Sequence, residues 1–216
     1  MTAAIKVEPF GVNRPAKKAC FSPSALNIEP TLAPFENEGD HLKNQAAAFD
    51  GMATMFSRSD GLPEDTAAVV DHIAITFLRE IVKSKRQGAK NRGKEEPTKF
   101  RLLDIGCGAG VLLRFFLNEA NKMGVTLDIV GVDVSDQMIT FDKGHAINVL
   151  KDLGTQHSID MVCDNFIKYL EGKDGDFDGV IANSCFANFF DTNASIKAMT
   201  NDVREDGLEV LLILLC

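Results

Sequence analysis

The residues of this chain best suited to chemistry lie in one short run, LLDIGCGAG, where Asp104 closes a row of apolar residues and Gly106, Gly108 and Gly110 follow at alternate positions. Such a run predicts a buried strand that turns sharply into a helix. Glycines suit that turn because the backbone must adopt angles closed to other residues and a ligand must approach it without meeting a Cβ. The helix behind the turn presents N–H groups without intrahelical partners, which favour an anionic group such as a carboxylate. A dinucleotide fingerprint, G-x-G-x-x-G, would need its third glycine where Val111 stands, so a nicotinamide-dependent oxidoreductase is the disfavoured reading. Two acids are expected at the same sheet edge. Asp133, after GV at the end of the next strand, is placed to accept from ribose hydroxyls, and Asp164, after the third strand, from an exocyclic amine such as that of adenine.

The elements that must position these residues follow from hydrophobic spacing. After Pro97, strand-like and helix-like segments alternate strictly, which is the pattern of parallel βαβ units. Strands are predicted at 100–105, 127–133, 158–163, 177–183 and 208–215. The helices between them are predicted from Val111 to Met123, stopped by Gly124, from an N-cap at Ser135 to Leu153, stopped by Gly154, and around Ile196, Met199 and Val203. Upstream, Ala48, Phe49, Met52 and Phe56 sit at helical offsets until Gly61-Leu62-Pro63 interrupts them. A second helix begins with Glu64 and Asp65, carries Val69, Ile73, Phe77 and Ile81 on one face, and ends in Lys83, Lys85 and Arg86, with charges that suit the helix dipole at both ends. Gln87 to Lys99 reads as a solvated basic linker. Five of the seven prolines precede residue 35, so residues 1–40 read as an irregular arm. The organisation expected is therefore an arm at 1–40, helices and linker at 41–99, and a sheet-based core at 100–216.

Bulk composition narrows the partners. With 216 residues and 45% hydrophobic content the chain suits one α/β domain with a modest appendage. A formal net charge of −8 argues against nucleic acid, whose binders cluster Lys and Arg to release counterions. The five cysteines, Cys20, Cys107, Cys163, Cys185 and Cys216, form no C-x-x-C pair and fit reduced thiols in place of a disulfide framework or metal site. No stretch is long and apolar enough for a membrane span, and the N-terminus lacks the apolar core of a secretory signal. A cytoplasmic location is the expectation, with an organelle transit segment as the alternative suggested by Lys6, Arg14, Lys17 and Lys18.

In order, DIGCGAG, GVDVS, CDNF, FDGVIANSCF and VREDGLEVLLIL resemble the successive motifs of the class I S-adenosylmethionine-dependent methyltransferases, over residues 45 to 215. The resemblance implies an α/β, Rossmann-like doubly wound parallel sheet with an N-terminal helical cap. It also implies that Asp104, Gly106, Cys107, Gly108 and Gly110 line the methionine end of S-adenosylmethionine and that Asp133 holds its ribose. Val134 and Met138 would lie against the adenine, Asp164 with the Asn165 backbone would read the adenine edge, and Asn183 would face the sulfonium. Phe49 to Phe56 resembles the helix that caps the cofactor in small-molecule members. Asn183-Ser184-Cys185-Phe186 lacks the two prolines of the motif that marks amino-methylating nucleic-acid and protein enzymes, and Glu205-Asp206-Gly207 replaces the usual Pro-Gly-Gly turn. The family sheet normally carries two strands beyond the fifth, so the chain reads as a core lacking them, with an apolar fifth-strand edge that suits a homo- or heterodimer.

The resemblance implies methyl transfer to a small-molecule acceptor, the alternative being a cofactor-binding partner subunit without turnover. The acceptor is expected between the Asn183 to Phe190 segment and the N-terminal helices, against Phe186, Phe189 and Phe190. Cys107 and Cys185 read as packing residues, since neither has a neighbouring histidine to activate it. His145 and His157 read as surface residues, while His41 and His72 are the histidines within reach of the acceptor side.

Overall fold

The computed structural model describes residues 37–56, 64–172, 176–183, 185, 188–208 and 212–213. The predicted arm as far as residue 36, the Gly61-Leu62-Pro63 break, Ser184, Phe186 and Cys216 lie outside them. Among the described residues twelve elements run in the order α1 (Glu38–Phe56), α2 (Glu64–Asn91), β1 (Lys99–Ile105), α3 (Leu113–Met123), β2 (Thr126–Asp133), α4 (Asp136–Leu153), β3 (Ser158–Cys163), α5 (Phe166–Leu170), β4 (Phe177–Asn183), α6 (Thr192–Asp202), β5 (Val203–Leu208) and β6 (Leu212–Ile213). The strands are parallel in the order β3-β2-β1-β4-β5, with β6 also on β4.

The period-2 alternation of the strands explains why helices cover both faces. Phe100, Leu102, Leu127, Ile129 and Ile181 point to one side, where Val70, Phe77, Leu78 and Ile81 of α2 and Phe116 and Leu117 of α3 pack on them. Leu103, Ile105, Val130, Val132, Val180 and Ala182 point to the other, against Leu170 of α5 and Met199 of α6. Helix α2 lies so close to β4 that a Cβ on Gly179 would overlap the Ile81 side chain. A buried ion pair, Lys85 Nζ to Asp178 Oδ1 at 3.1 Å, ties the same two elements, so Lys85, expected in the basic end of the helix, anchors α2 to β4. The chain goes from β1 outward to β3 and then crosses back to β4 on the far side of β1, which opens a crevice at the carboxyl ends of β1 and β4.

Several boundaries differ from the expected ones. Helix α1 starts at Glu38, inside the predicted arm, and α2 continues to Asn91, through the first part of the predicted linker. The short α5 was not anticipated; Asn165 caps it by accepting from the Ile167 and Lys168 N–H groups. Val203 closes no helix but opens β5. There the residues between Val203 and Leu208 form a bulge on β4, because these two pair with Phe177 and Gly179. The predicted Glu205-Asp206-Gly207 turn is thus part of an interrupted strand, which β6 resumes along the same edge at Ala182 and Asn183. No described helix is long and apolar enough to cross a membrane.

His157 corrects the surface assignment. It is 4% exposed, immediately before β3. Its Nδ1 accepts the Leu127 N–H at 3.1 Å while Nε2 lies 3.0 Å from Asn121 Oδ1, a pairing that needs the neutral ring. Burial pushes its pKa below the ordinary 6.5. The unfolded chain therefore takes the proton first, so the contribution present above pH 6.5 is lost as the pH falls below that value. Denaturant midpoints should fall from neutral pH toward the acid side, and His157→Gln should flatten that part of the profile while lowering the neutral midpoint. A wild-type midpoint that holds steady across that range would sink the assignment.

Candidate functional site

At the end of β1 the chain turns through Gly106, Gly108 and Gly110 with φ of 64°, 57° and 76°, the left-handed region that side chains with a Cβ enter at a cost. The Gly106 N–H donates to Val132 O at 2.7 Å, which holds the turn against β2. The glycines then serve different ends. A Cβ on Gly106 would stand 2.5 Å from Cys185 Cβ, whereas around a Cβ on Gly108 nothing lies within 4 Å. Gly108 thus faces open space, the cradle that a closely approaching ligand requires. Gly110 closes the turn, its N–H donating to Cys107 O at 3.1 Å. The N-cap residue of α3, Leu112, makes no side-chain cap hydrogen bond, so the positive helix end beside the crevice has no polar side-chain cap.

Asp133 joins this loop to β2. Its Oδ2 accepts the Gly108 N–H at 3.0 Å and its Oδ1 the Ser135 N–H at 2.9 Å. Burial pushes its pKa up from the ordinary carboxylate value, against the N–H groups of Ser135, Gly108 and Val134, and the neighbouring Asp50 carboxylate adds to the rise.

Around these residues lies a cavity of about 370 Å³, within the ~300–1,000 Å³ of small-molecule sites. Asp104, Gly106, Cys107, Gly108, Asp133, Val134, Met138, Asp164, Asn165 and Asn183 all line it, whereas Gly110 is not among the lining residues. Asp164 Oδ1 accepts the Asn165 N–H at 2.8 Å and lies 3.4 Å from Lys168 Nζ. The two residues expected to read an adenine edge are thus hydrogen-bonded to each other. The Cys185 thiol donates to Ile105 O at 3.0 Å, and burial pushes its pKa far above the usual thiol range. It acts as packing beneath Gly106 and not as a nucleophile.

Helix α1 spans the cavity mouth. Asp50 accepts from Ser135 Oγ at 2.5 Å and from the Gln137 N–H at 3.1 Å, at the start of α4. His41 Nε2, at 2.8 Å, and Gln45 Nε2 both reach the Asn188 carbonyl oxygen beyond β4, and Glu38 accepts from Asn165 Nδ2 at 3.2 Å. Phe49 packs with Ala53, Ala109 and Met138. Sequence reasoning missed the roles of Asp50, Gln45 and Glu38, whose partners stand roughly 85 to 145 residues away and leave no local pattern. Of the other N-terminal histidines, His72 is exposed on α2. Phe189 and Phe190 line the cavity; Phe186 and the side chain of Phe56 lie outside the described residues.

A family model described as a methyltransferase domain matches residues 103–208. No curated protein matches the chain. Among solved structures, the YcgJ protein from Bacillus subtilis is 21% identical, covering 58% of this chain and 48% of its own, with a TM-score of 0.42. The plantazolicin methyltransferase BamL, in complex with a triazolic desmethylPZN analog and SAH, is 18% identical over 77% of this chain and 55% of its own, at a TM-score of 0.49. An S-adenosylmethionine-dependent methyltransferase from Methanosarcina mazei is 18% identical over 50% of this chain and 49% of its own, at 0.40. The chain spans about half the length of these structures.

Proposed function

We propose that this chain is a class I S-adenosylmethionine-dependent methyltransferase, a reading supported by the match of residues 103–208 to a methyltransferase domain, that its cavity binds the cofactor and that the protein transfers a methyl group to a small apolar or aromatic acceptor. The observation that carries this reading is the open face of Gly108, whose N–H is fixed on Asp133 at the edge of a cavity of suitable size. The chemistry of the lining fits the group. The uncapped end of α3 suits the cofactor's carboxylate, the Asp133 carboxylate suits ribose hydroxyls, and Val134 and Met138 give an apolar surface for a purine. Bound there, S-adenosylmethionine would supply a methyl carbon already made electrophilic by its sulfonium. What remains for the protein is alignment, and orientation alone contributes several kcal/mol to such a displacement. Asn183 and the Phe189 and Phe190 side chains would orient the acceptor, and α1 would exclude water from it.

The test is the thermal midpoint of the protein with S-adenosylhomocysteine, compared with NADH. At a hundredfold excess over its dissociation constant a ligand stabilises by roughly 2.7 kcal/mol, several degrees for a domain of this size. A shift with the adenosyl thioether alone is the expected result. A shift with NADH alone, or with neither ligand in a folded sample, would overturn the reading.

A further inference from the structure

Asp133, proposed to hold the ribose, takes its orientation from N–H groups of separate segments. Gly108, in the glycine turn, donates to Oδ2 at 3.0 Å, and Ser135, just before α4, donates to Oδ1 at 2.9 Å. An ionised carboxylate has about four lone-pair sites, more than these N–H groups and that of Val134 use, and the direction of what remains depends on the N–H groups already held. The place of Ser135 is fixed in turn. It is fully buried; its side-chain oxygen accepts the Met138 N–H at 3.1 Å, as the N-cap of α4, while its hydroxyl donates to Asp50 Oδ1 at 2.5 Å. The same Asp50 oxygen accepts the Gln137 N–H at 3.1 Å. A half-buried carboxylate of α1 thus sits on the first turn of α4, yet neither Asp50 nor Ser135 is among the residues lining the cavity. The cap of α4 needs only the Ser135 oxygen. What Asp50 adds is a fixed hydroxyl direction and a fixed place for the start of α4, although its charge joins burial in opposing ionisation of Asp133.

From this series of contacts we infer that Asp50 is a positioning residue of the cofactor site: through the Ser135 hydroxyl it holds the start of α4 where the Ser135 N–H aims the Asp133 carboxylate at the ribose. The inference rests on the reading of the cavity as the S-adenosylmethionine site, and adds a residue that acts on the ligand through Asp133 without meeting it. Helix α1 is then part of ribose recognition and not a cover alone. A hydroxyl-to-carboxylate bond is short, about 2.5–2.7 Å, and weakens steeply when misdirected. A carboxylate that has lost the fixed Ser135 N–H therefore gives up ribose contact first. The glycine turn, where the methionine portion would lie, is held by contacts of its own, Gly106 N–H to Val132 O and Gly110 N–H to Cys107 O. Loss of Asp50 should accordingly show in how strongly the protein prefers a ligand with ribose hydroxyls, more than in how it holds the rest of the molecule.

Calorimetry on the full chain compares S-adenosylhomocysteine with its 2′,3′-dideoxy analogue, so that the difference between them reads the ribose contact and no turnover is needed. The wild type should prefer the parent by at least about tenfold. Asp50→Ala should narrow that preference by about fivefold, the worth of one ordinary hydrogen bond, weakening the parent and scarcely the analogue. Asp50→Asn keeps an oxygen for the Ser135 hydroxyl and the Gln137 N–H and should restore the preference. Ser135→Ala removes the same bond from its other end and carries the comparison if Asp50→Ala does not fold. It should narrow the preference alike, and the double variant Asp50→Ala, Ser135→Ala should narrow it no further. Equal weakening of parent and analogue in Asp50→Ala, the mark of a helix anchor alone, would overturn the inference. So would a preference unchanged in the alanine variants, no recovery in Asp50→Asn, additive effects in the double variant, or a wild type indifferent to the hydroxyls. Failure of the wild-type chain to take up S-adenosylhomocysteine would instead overturn the reading of the cavity itself.

Discussion

Asp133→Asn should weaken S-adenosylhomocysteine binding by about a hundredfold while leaving the ligand-free protein close to wild-type stability. The first half follows from what the carboxylate does. Its two oxygens hold the Gly108 and Ser135 N–H groups at 3.0 and 2.9 Å, and the same oxygens are the acceptors proposed for ribose. An amide turns one of them into a donor that must face a backbone N–H or a hydroxyl, and a hydrogen bond to a charged acceptor contributes about 1.5–3 kcal/mol. The second half follows from burial, which raises the carboxyl pKa. The folded protein holds the Asp133 proton more tightly than the unfolded chain, so ionisation costs stability as the pH rises above 3.8. A neutral amide removes that cost, and the removal offsets much of the lost hydrogen bonding. The pH dependence of binding has the opposite sense. Ribose hydroxyls donate best to the ionised form, so affinity should be level near neutrality and decline as the pH falls into the raised range above 3.8. In the Asn variant that decline should be absent. Calorimetric titration of both proteins at neutral and mildly acidic pH decides the matter, and wild-type affinity in Asp133→Asn would remove the residue from the site.

Much of this arrangement is written locally in the chain. The strand from Phe100 to Ile105, the glycine turn and the Ser135 cap of α4 each depend on neighbouring residues, so spacing alone places them. Gly124 and Gly154 stop α3 and α4 where expected for the same reason. The structure departs from expectation where distant parts of the chain decide. His157 has the composition of a surface position, yet it is buried because Leu127, 30 residues upstream, supplies an N–H to its ring. The bulge of β5 arises because Val203 and Leu208 both find partners on β4, and the polar residues between them have no local pattern that predicts a strand. Helix α1 lies across the crevice because Asp50, Gln45 and Glu38 meet partners on three separate segments. The part of the cavity lining that the glycine turn and Asp133 form is therefore legible in motifs, whereas the part that α1 closes is assembled from long-range contacts that spacing does not encode.

The glycine loop provides the sharpest separation of stability from binding. Gly106→Ala and Gly108→Ala place the same methyl group at nearly the same φ, 64° and 57°, and each forces an L residue into a left-handed conformation at about 1–2 kcal/mol. Only the first meets a wall. Its Cβ would stand 2.5 Å from Cys185 Cβ and 2.6 Å from the sulfur. Cys185 is held in turn by its thiol hydrogen bond to Ile105 O at 3.0 Å, so its side chain cannot give way without losing that bond. Such overpacking costs about 1–3 kcal/mol beyond the strain. Gly106→Ala should therefore lower Tm by roughly 5–15 °C at about 2–4 °C per kcal/mol for a chain of this length. The companion Cys185→Gly should restore part of that loss, since removing the Cys185 Cβ and sulfur clears the clash but not the backbone strain. In Gly108→Ala the methyl group enters open cavity, so Tm should fall by only a few degrees while the stabilisation by S-adenosylhomocysteine disappears. If that variant kept a wild-type ligand shift, the bound molecule would not approach the loop backbone, and the glycines would serve the turn alone.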